Sequence, residues 1–390
     1  MTPAARVQGA IELLDLIIAA ARGQGASADR IIAEWFKTRR YMGSGDRRAV
    51  RELVYGAVRA CGEIPVTGRA AMLRQAQGDT AIQPLFDGSK HAPAVITPGE
   101  PIAGAGIAPR WLEMKLAESG ITGNEATALL GRAPLDVRLN RLKGDAPELP
   151  VAGAATQAPD ALRFPAGTPV EQWEAYQTGR IEVQDTGSQL CCLALAARPG
   201  ETVIDLCAGA GGKTLALAAA MDNKGRLIAA DTDRGRLSRL PPRAARAGAL
   251  NVETRLLNPG REAEVLADLG GQADAVLVDA PCSGTGTWRR NPEVRWRLSA
   301  SELGRLTALQ LRLLDLAATL VRPGGRLIYV TCSLLDAEGA DQAEAFLTRH
   351  PDWRAQRPEL PAGTPRGQGL RLSPAQDQTD GFFIACFVSP

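Results

Sequence analysis

The second half of the chain alternates short apolar strands with helix-like stretches, and this alternation restricts the fold more than any other feature. Thr202–Leu206, Arg226–Asp231 and Ala273–Asp279 are strand-like runs, the last two ending in an acid, and a helical pattern follows each of them. Parallel strands joined by crossover helices produce this pattern, and helices then cover both faces of the sheet. We therefore predict an α/β domain with a doubly wound, mostly parallel sheet over residues 181–390.

The rest of the chain divides into two further segments, because 390 residues exceed one typical core. Residues 1–130 have helical periodicity, with Leu14, Ile17 and Ile18 on one face, and are predicted to form a helical domain. Residues 131–180 are rich in Pro, Ala and Gly and contain one strand-like run at 136–140. We predict a small accessory or linker segment there.

Several classes of protein are disfavoured by composition. No apolar run approaches the roughly 20 residues that span a bilayer. Seven cysteines without a regular pattern argue against a disulfide framework, and two histidines without a C-x-x-C pair argue against a zinc site. We expect a cytoplasmic protein without a metal, and a monomer.

A Gly-rich turn, Asp205-x-Cys-x-Gly-x-Gly-Gly, follows the first strand of the α/β part. It lets a ligand approach the backbone closely. A P-loop would need a glycine where Cys207 stands, so that interpretation fails. Asp231 ends the next strand, where a carboxylate can accept both hydroxyls of a ribose. A dinucleotide and S-adenosylmethionine remain equally compatible with this pattern, and a structural turn beside a surface acid is the simpler alternative.

Two cysteines follow strand ends at the edge where such sheets bind ligands. Cys282 follows Asp279-Ala-Pro, and Cys332 follows a strand over Arg326–Thr331. Methylation of carbon 5 of a pyrimidine needs a thiolate that adds to carbon 6, a base that removes the carbon-5 proton, and an acid near N3 or the amine. If the two strands are neighbours, both thiols and Asp279 lie together and meet these requirements.

The simplest alternative for any free cysteine is a small buried apolar residue. We favour that interpretation for the four cysteines that lie outside the strand-end loops, Cys61, Cys191, Cys192 and Cys386. Methylation of an exocyclic amine usually involves an Asp/Asn-Pro-Pro-Tyr loop. The corresponding loop, from Asp279 to Cys282, has no aromatic residue to stack on a base, which favours the carbon-5 reaction.

With these motifs the chain resembles the bacterial RNA cytosine-5 methyltransferases of the RsmB (Sun/Fmu) type. The resemblance extends over residues 180–390 and rests on Glu182-Val-Gln-Asp-Thr-Gly-Ser-Gln, Asp205–Thr214, Asp279–Gly286, Tyr329-Val-Thr-Cys-Ser and Thr379-Asp-Gly-Phe-Phe. It implies a class I, Rossmann-like methyltransferase domain that uses S-adenosylmethionine. The helical segment resembles, more weakly, the NusB-like RNA-binding domain of the same group.

The resemblance also implies residue roles. Cys332 is the expected nucleophile, and Cys282 is expected to assist proton loss and product release. Lys213 and Asp279 are expected near the target base. The residues expected to bind the cofactor are Cys207, Ala208, Gly209, Ala210, Gly211, Gly212, Lys213, Asp231, Arg236, Asn258 and Asp279. Two of these positions depart from the family pattern: Ala210 replaces a loop proline, and Asn258 replaces an acid near the adenine.

The expected partner is small-subunit ribosomal RNA or its assembly intermediate. Arg289, Arg290, Arg295 and Arg297 are predicted phosphate contacts, with a solvated loop as the equally supported alternative. Two other functions stay open. A non-catalytic RNA-binding assembly factor would not need the two thiols, and a small-molecule methyltransferase or NAD enzyme would leave the helical domain without a use.

Overall fold

The computed structural model describes residues 1–23 and 25–390, which form two compact units. The first unit contains Met1–Gly131 together with Trp288–Ser299, and the second contains Arg132–Thr287 together with Ala300–Pro390. The predicted accessory segment, residues 131–180, is not a separate unit: its residues 132–180 lie in the second unit with the α/β part.

The first unit is helical, and its core lies on the faces that the periodicity indicated. Leu14 and Ile17 from the first helix and Val54 from the third have no exposed surface. The hydroxyl oxygen of Thr2 accepts a hydrogen bond from the amide of Ala5 and so caps the first helix. The α-helices in the described part of this unit are α1 (Pro3–Arg22), α2 (Ala28–Lys37), α3 (Ser44–Ala60), α4 (Gly68–Gly78), α5 (Arg110–Glu118) and α6 (Gly123–Ala128).

A 3-10 turn from the second half of the sequence, Pro292–Trp296, also belongs to this unit. Trp296 lies in the core of the helical unit, and its indole donates to the carbonyl of Gly62 at 3.2 Å. Arg295 has no exposed surface, and its Nη2 donates to the carbonyls of Val58 (2.6 Å) and Cys61 (2.8 Å). The guanidinium therefore caps the carboxyl end of α3, where helix carbonyls lack partners within the helix.

The second unit begins with a small antiparallel sheet in the order β2-β3-β1-β4. Val137, Phe164 and Ile181 form its core together with Trp173. Its elements are β1 (Leu135–Leu139), β2 (Ala154–Ala155), β3 (Ala161–Phe164), α7 (Glu174–Gln177) and β4 (Ile181–Val183).

A nine-stranded sheet dominates the second unit, with the order β11-β12-β13-β9-β8-β5-β6-β7 and β10 paired with β13. Its strands are β5 (Thr202–Asp205), β6 (Arg226–Asp231), β7 (Val252–Leu256), β8 (Ala273–Asp279), β9 (Val321–Thr331), β10 (Arg354–Ala355), β11 (Thr364–Arg366), β12 (Gly369–Leu372) and β13 (Phe382–Val388). Its helices are α8 (Thr186–Leu195), α9 (Gly212–Ala220), α10 (Arg234–Leu237), α11 (Leu240–Ala247), α12 (Glu262–Val265), α13 (Ala300–Leu320), α14 (Ala340–Arg349) and α15 (Pro374–Asp377).

Strands β5 to β9 run parallel, and β10 to β13 extend the sheet in antiparallel fashion. In β8, Ala275 and Leu277 contribute to one apolar core and Val276 and Val278 to the other, because alternate side chains point to opposite faces. The predicted doubly wound α/β sheet is thus confirmed. The strand order reverses direction between β5 and β8, which places a ligand-binding crevice at the carboxyl ends of these strands. Among the described residues, no helix is long and apolar enough to cross a membrane.

Candidate active site

The Gly-rich turn between β5 and α9 depends on two glycines with positive φ. Gly209 has φ +55° and Gly211 has φ +84°. A Cβ on Gly209 would lie 2.5 Å from Nη2 of Arg236, and one on Gly211 would lie 2.1 Å from Leu240. The backbone conformation therefore favours glycine at both positions, and close packing against the buried Leu240 adds to this at Gly211.

Asp231, at the end of β6, closes this turn from the other side. Its Oδ2 accepts the amide of Gly209 and its Oδ1 accepts the amide of Asp233, each at 2.7 Å. A carboxylate has about four acceptor positions, so two remain for ligand hydroxyls. The side chain thus both shapes the turn and lines the cleft beside it.

Asp205 supports the same turn from inside the sheet. It is completely buried, and its Oδ2 accepts the hydroxyl of Thr214 at 2.6 Å. Burial raises the pKa of Asp205 to about 7, although the bond from Thr214 acts in the opposite direction.

A cleft of about 610 Å³ opens along the carboxyl ends of β5, β6, β8 and β9. This volume lies in the range of sites for small organic ligands. Both strand-end thiols line it, as do most of the polar residues predicted for cofactor binding, Cys207, Asp231, Arg236 and Asp279. Burial raises the pKa of Cys207, so this thiol stays protonated against the cleft wall. Among the described residues, no cluster of three or more His, Cys, Asp or Glu could hold a metal ion.

The end of the cleft after β7 differs from the expectation. Asn258 is exposed, and its neighbours Leu257 and Pro259 line the cleft instead. The acid at this end is Glu262, which is buried and accepts from Nη2 of Arg312 at 3.0 Å. Burial is the largest single effect and raises the pKa of Glu262, but the hydrogen bonds from Arg312 and from backbone amides, with the positive charge of Arg312, together outweigh burial, and the net shift is downward.

The two thiols of the cleft lie next to each other, with Sγ of Cys282 3.3 Å from Sγ of Cys332. They meet because β8 and β9 are parallel neighbours with Asp279 in register with Val330. The amide of Gly286 also donates to the carbonyl of Cys332 at 3.0 Å, which ties the two loops together. The hydrogen bond with Cys332, and then burial, raise the pKa of Cys282, so Cys282 keeps its proton.

Lys213 and Asp279 form an ion pair beside the thiols, with Nζ 2.7 Å from Oδ2. Burial is the largest single effect and lowers the pKa of Lys213, but the negative charge of Asp279, its hydrogen bond and smaller contributions together outweigh burial, and the net shift is upward. The Lys213 ammonium also lies 5.4 Å from the ring centre of Phe382 in β13, within cation–π range. A fixed ammonium–carboxylate pair therefore stands at the edge of the cleft that holds the thiols.

The four cysteines assigned to the interior are all buried, Cys61, Cys191, Cys192 and Cys386. Burial raises the pKa of each, which makes these thiols poor nucleophiles.

The predicted phosphate-binding arginines need a correction. Arg295 is not a surface residue, because its guanidinium is buried against the carboxyl end of α3. Arg289 is also buried, and Arg297 donates to the carbonyls of Gly25 (2.9 Å) and Ala26 (2.6 Å) within the helical unit. Arg290 is half-buried. A run of arginines in the sequence does not reveal which of them cap helices and satisfy loop carbonyls.

One buried residue near the thiols had no counterpart in the sequence analysis. Glu338 has no exposed surface, and its Oε1 accepts the amide of Ser283, next to Cys282, at 2.8 Å. Gln310 of α13 donates to the same oxygen at 3.1 Å. A single acid in a short polar turn forms no pattern, and only its position six residues after Cys332 could have drawn attention to it.

Comparison with known proteins gives consistent matches. The sequence profile of the 16S rRNA methyltransferase RsmB/F family matches residues 192–388. Ribosomal RNA small subunit methyltransferase B of Xanthomonas campestris is 37% identical over 72% of this chain and 66% of its own length. The protein of the same name from Sodalis glossinidius is 31% identical over 88% of this chain and 82% of its own length.

Solved structures agree with these matches. The crystal structure of PH0851 is 26% identical, covers 99% of each chain and has a TM-score of 0.76. A methyltransferase homologue from Pyrococcus horikoshii is 26% identical over 72% of this chain and 99% of its own, with a TM-score of 0.60. NSun6 from Pyrococcus horikoshii, solved with SFG, shares the fold with a TM-score of 0.58 at 19% identity, over 71% of this chain and 97% of its own.

Proposed function

This chain belongs to the 16S rRNA methyltransferase RsmB/F family, and on that premise we propose that it transfers a methyl group from S-adenosylmethionine to carbon 5 of a cytosine in small-subunit ribosomal RNA. The observation that carries the proposal is the pair of thiols, Cys282 and Cys332, 3.3 Å apart in the cleft that Asp231 also lines. Carbon 5 is a poor nucleophile until a thiolate adds to carbon 6. An exocyclic amine would need no such pair.

The cleft residues fit the proposed cofactor. Asp231 retains acceptor positions for ribose hydroxyls, and the backbone of residues 207–213 can approach the amino acid part closely. The cleft lining is of mixed charge, with Arg236, Arg305 and Arg312 beside the acids, and Asp231, Asp233 and Asp279 are the carboxylates available to a cationic sulfonium. Leu257, Pro259 and Glu262 line the end that we assign to the adenine. When bound, S-adenosylmethionine supplies an electrophilic methyl group.

Cys332 begins the reaction. Its thiolate adds to carbon 6, a carbon–sulfur bond forms, and the electron pair of the 5,6 double bond moves toward N3. Asp279 lies beside the thiols, where its carboxylate is placed to accept a hydrogen bond from the cytosine amine, while Lys213 fixes its orientation at 2.7 Å. Carbon 5 then carries the electron density that accepts the methyl group.

Cys282 completes the reaction. Carbon 5 of the methylated adduct still holds its proton, and the Cys282 sulfur takes that proton after it has released its own to solvent. The electron pair of the broken C–H bond re-forms the 5,6 double bond, and the Cys332 thiolate leaves carbon 6. The order of the two thiols follows from the family resemblance and from the raised pKa that keeps Cys282 protonated in the resting enzyme.

Recognition of RNA is assigned to the helical unit, whose resemblance to NusB-like domains indicates this role, and to the half-buried Arg290. Ribosomal RNA or an assembly intermediate is the proposed partner, and a monomer in the cytoplasm is the proposed working state. A cytosine in a stem has to be turned out of the helix to reach the thiols.

Two measurements test this function. Purified protein with methyl-labelled S-adenosylmethionine is expected to label small-subunit ribosomal RNA and not a protein-free metabolite extract. Bisulfite mapping of ribosomal RNA from a deletion strain is expected to show one cytosine that has lost its protection. Label in the metabolites alone, or an unchanged bisulfite pattern, would contradict the proposal.

A further inference from the structure

Glu338 is a completely buried acid outside the set of residues that the reaction uses. It ends the 3-10 turn Asp336–Glu338, which follows β9 and the Cys332 loop. Within the described part of the chain, no lysine or arginine forms an ion pair with it. A buried carboxylate without a cation is costly unless hydrogen-bond donors surround it, so the contacts of Glu338 need an explanation.

These contacts join the Cys282 loop, the helix α13 and the strand that precedes Cys332. Oε1 accepts the amide of Ser283 (2.8 Å) and Nε2 of Gln310 (3.1 Å), and Oε2 accepts the hydroxyl of Ser283. The backbone carbonyl of Glu338 accepts the hydroxyls of Tyr329 (2.7 Å) and Thr331 (3.3 Å), both in β9. The side chain therefore holds the residue next to Cys282, while the backbone is fixed to the strand that ends immediately before Cys332.

We propose that Glu338 is a positioning residue that places the Cys282 thiol against Cys332 for the later, proton-removing part of the reaction. This inference rests on the proposed carbon-5 mechanism and adds a residue to it. Ser283 and Gln310 contribute the three hydrogen-bond donors that Glu338 needs, so the loop and the acid stabilise each other.

The charge of Glu338 has a second effect on Cys282. After its hydrogen bond with Cys332, burial and the Cys332 charge, the negative charge of Glu338 also raises the pKa of Cys282. When Cys332 is bound to carbon 6 as a thioether, its own charge is gone. Burial and Glu338 are then what keeps Cys282 protonated until the methyl group has been transferred.

The test is accumulation of the covalent RNA adduct on a denaturing gel, in the presence of S-adenosylmethionine. Glu338→Ala is expected to accumulate severalfold more adduct than the wild type, as is Cys282→Ala, because attack by Cys332 continues while release is slow. Adding Glu338→Ala to Cys282→Ala should give no further increase. Glu344→Ala, an exposed acid in α14, is the matched control and should behave as the wild type.

An unfolded protein forms no adduct, so a purely structural role predicts loss of adduct rather than gain. Wild-type adduct levels in a folded Glu338→Ala protein would overturn the inference. If Cys282→Ala also formed no adduct, the proposed mechanism would fail instead, and the two failures are therefore distinguishable.

If the alanine variant does not fold, Glu338→Gln provides the test of the role of Glu338. Its amide oxygen can accept from Ser283 and Gln310 while its amide nitrogen donates to the Ser283 hydroxyl, so the loop is retained and the charge is lost. The rate at which the adduct resolves to product rises with pH as Cys282 ionises, and this rise is expected at lower pH in Glu338→Gln. A rise at the wild-type pH would contradict the role of Glu338.

Discussion

The ion pair between Lys213 and Asp279 is partly buried, and this distinguishes it from an ion pair on the surface. Their side chains are 10% and 30% exposed, whereas Lys224 and Asp222, which form a pair of the same length, are 67% and 65% exposed. Exposed pairs contribute little because water screens them. In the partly buried pair, water screens the attraction less, so loss of either charge leaves the other without its stabilising partner.

Asp279→Asn is therefore expected to reduce methyl transfer by about 100-fold or more, since it removes the group near N3 and the anchor of Lys213. The pKa of Lys213 should fall, because burial then acts without the opposing charge. Single-turnover kinetics and NMR titration of the lysine check both effects. Asp222→Asn is the matched control, and an equal loss of activity in that variant would refute the distinction.

Asp205 predicts a pH dependence of stability. Its pKa of about 7 in the folded protein exceeds the ordinary value of 3.8, so the folded state holds a proton that the unfolded state has released. The stabilisation is complete below pH 3.8 and is lost as the pH rises through about 7, with a contribution of at most about 4 kcal/mol.

Asp205→Asn carries no charge at any pH and is expected to lose this component. Urea unfolding at pH 5 and pH 8 should show a smaller difference in the free energy of unfolding for the variant than for the wild type. The same difference in both proteins would show that Asp205 is ionised in the folded state throughout this range.

The thiols and Glu338 show what a sequence can reveal about single residues. Cys282 and Cys332 were predictable because each directly follows a strand and the reaction requires thiols. Glu338 was not predictable, because its role comes from contacts with Ser283 and Gln310, which are 55 and 28 residues away in the sequence. Hydrogen bonds of that range leave no local pattern.

At the scale of elements, the two thiols are held near each other because the loop after β8 lies close to the loop after β9. Gly286, in the turn after Cys282, accepts from the amide of Gly381 at 2.8 Å and donates to Cys332 at 3.0 Å. A Cβ on Gly286 would lie 2.1 Å from the carbonyl oxygen of Gly381. Only a glycine lets the segment before β13 reach the cysteine loops.

Gly286→Ala is expected to lower the free energy of unfolding by about 1–3 kcal/mol, because the loops must separate. Methyl transfer should fall with it. Gly304→Ala, at an exposed position in α13 where a Cβ meets nothing within 4 Å, is expected to stabilise by about 0.5–1 kcal/mol. Urea unfolding of both variants measures the contrast, and a neutral Gly286→Ala would show that the contact is dispensable.

Prediction of the elements succeeded where a strand is buried on both faces and ends in a polar residue. β5, β6 and β8 are of this kind. The antiparallel strands β10, β11 and β12 were missed, because runs of two to four residues show no clear alternation.

At the scale of the whole molecule, residues that are neighbours in the sequence do not always belong to the same structural unit. Trp288–Ser299 follows the Cys282 loop in sequence but belongs to the helical unit. Arg295 there caps α3, although its cluster of arginines resembled a phosphate-binding loop. Composition and charge could not distinguish a helix-capping arginine from a phosphate-binding one, since in either case the arginine lies in a loop.

The central claim for the whole enzyme is that Cys332 forms a covalent bond with the RNA and Cys282 is needed for its release. The most direct measurement is the RNA adduct that the purified full-length protein forms with ribosomal RNA and S-adenosylmethionine. We predict that Cys282→Ala accumulates the adduct and that Cys332→Ala forms none and transfers no methyl group. Methyl transfer by Cys332→Ala, or an adduct in that variant, would contradict the mechanism.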